Sequence, residues 1–328
     1  MNELLIPPLP WWIKRQLHYP TWNFKTIIKS LFKNDIEERI KLLCDCKYVV
    51  LTDSASTALT MGLIYLNKPK KVYMPSYCCK SVANAVINAG LTPHFYDITK
   101  DLQPQPIQKD AIIIVPHFHG EQASIEKFKG TIVEDKAMRI QDPLTGEFGI
   151  LSFNNGKQIQ SIGGGALITN NKILADLVRK ELTPQVPHDI TKQVINYLLV
   201  VNLRRTTILV YKILTKLRLV HREEDISKRY QEVNEETTTF RPKQINWIQK
   251  KLTQSQLMNL KNVLQPKHIT LITKKDRYET LSNYSKQGIE TDWTWLPLHL
   301  QTKYSKYPKE KLTNTEKLWK KTITIRIK

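Results

Sequence analysis

Leu151-Ser152-Phe153-Asn154-Asn155-Gly156-Lys157, running on to Gly163-Gly164-Gly165 and Ala166-Leu167-Ile168-Thr169, sets one lysine in a short turn-rich stretch between two strand-like runs. An apolar run, an open glycine-bearing turn and a second apolar run read as a strand, a loop and a further strand. A lysine in such a loop can be held beside a bound group, where its amine is available as a nucleophile. Two upstream features belong with it. The acidic pair Glu134-Asp135 ends the apolar run Thr131–Val133, and Ser54-Ala55-Ser56-Thr57 opens a helical pattern after Tyr48–Leu51.

Around these three points the chain alternates. Tyr48–Leu51 is followed by a helical pattern from Ser56, and Lys71–Met74 by one from Ser81. Further short apolar runs follow at Pro93–Tyr96, Ala111–Val115, Thr131–Val133, Gly149–Phe153 and Ala166–Ile168. This alternation predicts an α/β fold, a mixed and mostly parallel sheet flanked by helices. Sites in such sheets lie beyond strand ends, where the loop before Ser56, Asp135 and Lys157 all fall.

The expected organisation is an N-terminal arm and leading helix over 1–40, a large α/β domain over 41–184, a helical basic insert over 185–238 and a smaller C-terminal α+β unit over 239–328. The helix-like stretch from Trp22 to Leu43 carries Ile27, Ile28, Leu31 and Phe32, and the last strand is placed at Thr322–Ile327. In the insert, Arg204, Arg205, Lys212, Lys216 and Arg218 fall within an arc of about 160° if the segment is helical. Such a helix either packs its Leu209, Ile213, Leu214 and Leu217 face onto the body or across a dimer, or makes peripheral contact with an anionic membrane through 204–220.

With 328 residues, 41% of them hydrophobic, the chain can bury a full core. It holds no apolar run long enough to span a bilayer, and prolines at Pro7, Pro8 and Pro10 interrupt any signal-peptide core, so a cytoplasmic location is expected. Cys44 and Cys46, and Cys78 and Cys79, lack zinc spacing and read as reduced thiols. His117 and His119 bring no further ligand set with them, and no metal is expected. The net charge of +20 favours anionic partners. Recognisable nucleic-acid motifs are missing from the sequence, so no specific nucleic-acid partner is expected.

The lysine, the carboxylate and the helix start together match the needs of pyridoxal 5′-phosphate, which requires a Schiff-base lysine, an acid opposite the pyridine nitrogen and a phosphate cradle. Lys157 would be the catalytic lysine, and Asp135 the partner of the ring nitrogen. Ala55 and Ser56 would offer backbone N–H groups at a helix N-terminus, and Ser152 a hydroxyl, to the phosphate. Singly, each feature is also ordinary: a solvated loop lysine, a helix cap, a common helix start.

In this order the residues resemble the DegT/StrS-type sugar aminotransferases, a branch of the fold type I pyridoxal phosphate enzymes. Ser54-Ala55-Ser56-Thr57-Ala58-Leu59 is similar to the family's Ser-Gly-Thr-x-Ala-Leu phosphate loop, and Val72–Ser76 with Ala89–Asp97 to its next strand–helix–strand unit. Pro116-His117-Phe118-His119-Gly120 resembles its Val-His-Leu-Tyr-Gly segment, Val133-Glu134-Asp135 its pyridine-binding strand end, and Ser152 to Lys157 its serine-to-lysine spacing. The resemblance implies a homodimer with shared active sites, glutamate as amino donor and a keto-sugar, usually nucleotide-linked, as acceptor, in surface polysaccharide or amino-sugar biosynthesis. A lysine at this position sets the chain apart from the family's dehydratase branch, which has histidine there. Trp295-Leu296-Pro297-Leu298-His299 resembles a stretch near the substrate mouth, which makes His299 a candidate for substrate contact.

The chain also departs from the pattern. Gly163 stands where the family has glutamate, Met138 where it has glutamine, Cys79 where an aromatic residue stacks on the pyridine, and Thr239 where an asparagine precedes Phe240-Arg241. These departures and the basic insert motivate a second reading, a degenerate relative that acts as a membrane-associated or complex-forming binding protein.

Overall fold

The computed structural model describes residues 24–66, 71–154, 156–186, 240–258, 268–274, 276–289 and 291–326, with a few isolated positions besides. Seven strands form the main sheet: β1 (Tyr48–Thr52), β2 (Lys71–Pro75), β3 (Thr92–Tyr96), β4 (Gln108–Pro116), β5 (Lys129–Asp135), β6 (Phe148–Ser152) and β7 (Gly165–Thr169). Their order is β1-β7-β6-β5-β4-β2-β3. Strands β6, β5, β4, β2 and β3 pair in parallel, and β7 runs antiparallel to both β1 and β6. The mixed, mostly parallel sheet read from the sequence is the one observed. The continuous apolar runs have the same cause: Ile112–Val115 and Ala166–Ile168 are buried because elements cover both faces.

Helix α3 (Ala55–Tyr65) starts where Ser54 caps it, the serine oxygen accepting the Thr57 N–H at 3.1 Å. It is buried from Thr57 to Leu63, which explains why it has no polar stripe. Helix α4 (Lys80–Asn88) follows β2. Helix α5 (Lys172–Glu181) follows β7, and Asn171 accepts the Leu174 N–H at its start.

The expected helix from Trp22 to Leu43 is, over its described part, two helices, α1 (Phe24–Leu31) and α2 (Ile36–Cys44). The break has a physical cause. Lys251 donates to the carbonyls of Leu31 and Lys33 and to Asn34 Oδ1 at 3.0, 2.8 and 2.9 Å, and Gln254 Nε2 donates to Asp35, so α6 (Trp247–Leu257) holds the turn open. A capping box between Asn246 and Gln249 fixes the start of α6.

The C-terminal unit contains β8 (His268–Ile272), α7 (Arg277–Lys286), β9 (Thr291–Asp292), α8 (Thr313–Leu318) and β10 (Thr322–Arg326). Its antiparallel sheet has the order β8-β10-β9. Three sets of bonds stitch it to the large sheet. Phe95 N–H donates to Pro308 O and Glu310 N–H to Phe95 O, so an extended segment covers the edge strand β3. The Asp97 carboxylate caps α8, accepting from Asn314 and Thr315 at 2.8 and 2.7 Å. Leu298 N–H donates to Ser76 O just past β2, which brings the segment 293–298 to the sheet's C-terminal edge. The basic helix expected around Arg204–Arg218 lies outside the described residues. Among the described residues no helix is long and apolar enough to cross a membrane.

Candidate active site

A cavity of about 450 Å³ opens at the C-terminal ends of β1, β4, β5 and β6, between the starts of α3 and α4. Ala55, Ser56, Asp135, Ser152 and Lys157 all line it. The topology requires this convergence. Parallel strands point their C-terminal ends to one edge, and β1 joins them because β7 reverses direction twice over. Residues about a hundred apart in sequence therefore face one space.

Lys157 lies in the loop after β6, where its N–H donates to Asn154 O at 3.2 Å, and its Nζ reaches Met138 Sδ at 3.1 Å. Asp135 closes β5. Burial raises its carboxyl above the ordinary range, opposed by the Ala137 N–H, at 3.0 Å, and by the charge of Lys157. A desolvated carboxylate with one backbone donor is a site that a cationic ring nitrogen would relieve.

Glu134 has the opposite environment. Its carboxylate accepts from Thr145 N–H and Gly146 N–H at 2.7 and 2.6 Å, and lies 3.0 Å from His117 Nε2 and 3.8 Å from Lys136 Nζ. Burial pushes its pKa up, but the His117 and Gly146 hydrogen bonds and the Lys136 charge outweigh it and bring it to about 2. The tautomer of His117 follows from its partners. Ala123 N–H donates to Nδ1 at 3.1 Å, so in the neutral ring Nε2 carries the proton and donates to Glu134. Among the described residues no group of three or more His, Cys, Asp or Glu side chains is gathered in a metal-binding arrangement.

At the far end, Ala55 and Ser56 hold the first positions of α3, whose leading N–H groups precede the helix's own bonds. The glycine run makes room for them. A Cβ at Gly165 would lie 2.4 Å from Ala55 N, and Gly163 and Gly164 adopt φ of 121° and 99° to bring β7 alongside Ser54.

The sequence profile of the DegT/DnrJ/EryC1/StrS aminotransferase family matches residues 23–328. The chain belongs to this family. It is similar to the 3-oxo-glucose-6-phosphate:glutamate aminotransferase of Bacillus subtilis (strain 168), 27% identical over 150 residues, 39% of this chain and 34% of that protein. A putative pyridoxal phosphate-dependent aminotransferase of the same organism, EpsN, is 21% identical over 201 residues, covering 50% of this chain and 51% of the relative. The matched stretches thus span about a third and about half of these relatives. The solved structure of E. coli GDP-4-keto-6-deoxy-D-mannose-3-dehydratase with bound hydrated pyridoxal phosphate aligns at a TM-score of 0.65 with 14% identity, covering 98% of this chain and 95% of that one. That likeness shows the fold alone, which aminotransferases and this dehydratase share.

Pyridoxal phosphate is the cofactor of this family of fold type I enzymes, and the residues present fit it. The fit rests on the glycine-cleared approach of β7 to Ala55 N, the desolvated Asp135 and the amine of Lys157 on one cavity. Asp135 would hold the ring nitrogen, Lys157 the aldehyde carbon, and Ala55, Ser56 and Ser152 the phosphate. Where family members carry other residues, this chain keeps Met138 and Cys79 in the lining. Cys79 precedes α4 and accepts from Ser81 Oγ at 3.1 Å. All four cysteines are free thiols.

One expectation does not match the geometry. His299 is absent from the cavity lining. It is buried, with Nδ1 2.7 Å from Ser76 Oγ, and so ties the C-terminal unit to the end of β2. The residue of that segment that reaches the cavity is Trp295, which the sequence reading passed over. Gln249, at the start of α6, also lines the cavity unforeseen. Trp293 packs with its ring 4.2 Å from the buried Arg277 guanidinium, while Trp295 faces the site.

Proposed function

We propose that the protein is a pyridoxal phosphate-dependent aminotransferase that takes an amino group from L-glutamate and delivers it to a nucleotide-linked keto-sugar, in amino-sugar or surface polysaccharide biosynthesis. The observation that carries this reading is that Lys157, Asp135 and the start of α3 converge on one cavity. Bound there, the cofactor supplies an electrophilic carbon and an electron-withdrawing ring.

The chain's own residues do the rest. The Asp135 carboxylate, starved of water, would keep a proton on the cofactor's ring nitrogen. Lys157 Nζ, when not covalently engaged, would carry a proton away from the donor's α-carbon in the first half-reaction and deliver one to the acceptor's carbon in the second, the cofactor's reactive carbon being the other terminus each time. Met138 Sδ is an acceptor only, so it can hold Lys157 Nζ through one N–H without donating a proton to it. The helix start and the glycine run would hold the phosphate end, which would keep the reacting carbon within reach of Nζ. A homodimer in the cytoplasm is part of the same reading.

The test is to load the purified protein with pyridoxal phosphate and add L-glutamate. Loss of the visible absorption band with release of one equivalent of 2-oxoglutarate per site supports the proposal. A loaded protein whose spectrum ignores glutamate, and which releases no oxo-acid, contradicts it.

A further inference from the structure

We propose that Trp295 is a specificity-determining residue whose indole receives the C–H face of the acceptor's sugar ring. This rests on the keto-sugar aminotransferase reading and adds the residue that would tell acceptor from donor.

Trp295 lines the cavity and adopts a left-handed backbone, φ 51°, a conformation that a bulky side chain keeps only where its surroundings impose it. The surroundings here are aromatic. Tyr77 meets the indole edge-on at 5.4 Å and 73°, Phe118 lies 5.4 Å away, and His119 stacks on it at 5.6 Å and 28°. His119 is itself left-handed, φ 56°, so two non-glycine residues hold unfavourable backbones to make one stack. Tyr77 is anchored in turn, its hydroxyl 3.1 Å from Thr294 Oγ1. One side of the indole is thus braced while the residue stays only half-buried and borders the cavity.

Such a ring is already ordered before any ligand arrives, so binding loses little side-chain entropy. Its face is electron-rich and apolar, and it attracts groups of weakly positive edge and flat apolar surface. The C–H face of a pyranose has that character. L-glutamate, two carboxylates joined by a short flexible chain, offers no matching surface. His119 does not alter this by acquiring charge near neutral pH, because burial holds its pKa down at about 4.

Two variants separate this role from a structural one. Trp295→Gly tolerates the left-handed backbone and removes the ring, and Trp295→Phe retains a smaller aromatic face. The probes are UDP-glucose and dTDP-glucose, with UDP and dTDP as controls, observed by saturation-transfer NMR on the cofactor-loaded protein; glutamate half-saturation is read separately from the absorption spectrum. The wild type should transfer saturation to the sugar-ring protons of at least one probe. Trp295→Gly should lose that transfer and bind the probe about tenfold more weakly, with Trp295→Phe between, while glutamate half-saturation moves less than about twofold. Transfer confined to the base protons, equal weakening of probe and glutamate, unchanged probe affinity in Trp295→Gly, or no binding of either probe by the wild type would each overturn the proposal. Failure of the wild type to react with glutamate would count against the aminotransferase reading instead, since probe binding is measured independently of it.

Discussion

The floor of the cavity is made of residues that each lie within a few positions of a strand end, whereas its aromatic wall is Trp295, backed by Tyr77 and His119 from distant parts of the chain. On the floor, function follows from the sheet: parallel strands deliver Asp135, Ser152 and the turn before α3 to one edge, and the loop carrying Lys157 follows. On the wall, position depends on stitches between the C-terminal unit and β2, such as Leu298 N–H to Ser76 O. Under the proposed function, chemistry common to both half-reactions would belong on the floor, and discrimination between substrates on the wall.

Substitutions on the floor should therefore damage every step, and the largest effect is expected at Lys157. Lys157→Ala should abolish the visible cofactor band and slow transfer from glutamate by about 10³-fold or more, measured by 2-oxoglutarate release. Asp135→Asn comes next, with a loss of about 10²-fold in the same assay and little loss of fold stability, because its carboxylate is buried at a cost.

Its neighbour sharpens the contrast. Glu134→Gln should lower stability by about 3 kcal/mol in a urea titration, because it leaves Lys136 buried beside an uncharged partner. The pH dependence has a definite sign. With its pKa depressed to about 2 from an ordinary 4.5, Glu134 contributes stability that is fully present above pH 4.5 and is lost as pH falls toward 2. The Gln variant should lack that part of the acid transition.

Gly165→Ala tests the close approach at the phosphate end. A Cβ there meets Ala55 N, so the start of α3 must shift, and cofactor affinity should fall by about tenfold in a fluorescence titration. The smallest effect is expected behind the wall. His119 has a pKa of about 4 when folded against 6.5 ordinarily, so the unfolded chain binds the extra proton between those values. Stability should rise with pH across that window by about 1–3 kcal/mol. His119→Phe keeps an aromatic ring and should flatten the slope without changing glutamate half-saturation.

The same contrast explains what the sequence disclosed. Strand–turn–helix signals are local, so the sheet and the lining positions of Ala55, Ser56, Asp135, Ser152 and Lys157 could be read directly from residue order. The break between α1 and α2 could not, because Lys251, more than two hundred residues away, draws in the carbonyls that create it. Nor could the exchange of His299 for Trp295. Which of two residues four apart faces a cavity depends on a left-handed backbone at Trp295 and on the bond between His299 and Ser76, neither of which leaves a periodic trace. The distinct roles of Glu134 and Asp135 follow from strand alternation, yet the partners that make one structural come from the loop at Thr145–Gly146.

The most direct measurement is to treat the cofactor-loaded protein with borohydride, which makes a lysine–cofactor link permanent, and to map the modified peptide by mass spectrometry with and without prior L-glutamate. A single pyridoxyl adduct on Lys157 is expected, and it should disappear when glutamate is added first. An adduct on another lysine, or none on Lys157, would contradict it.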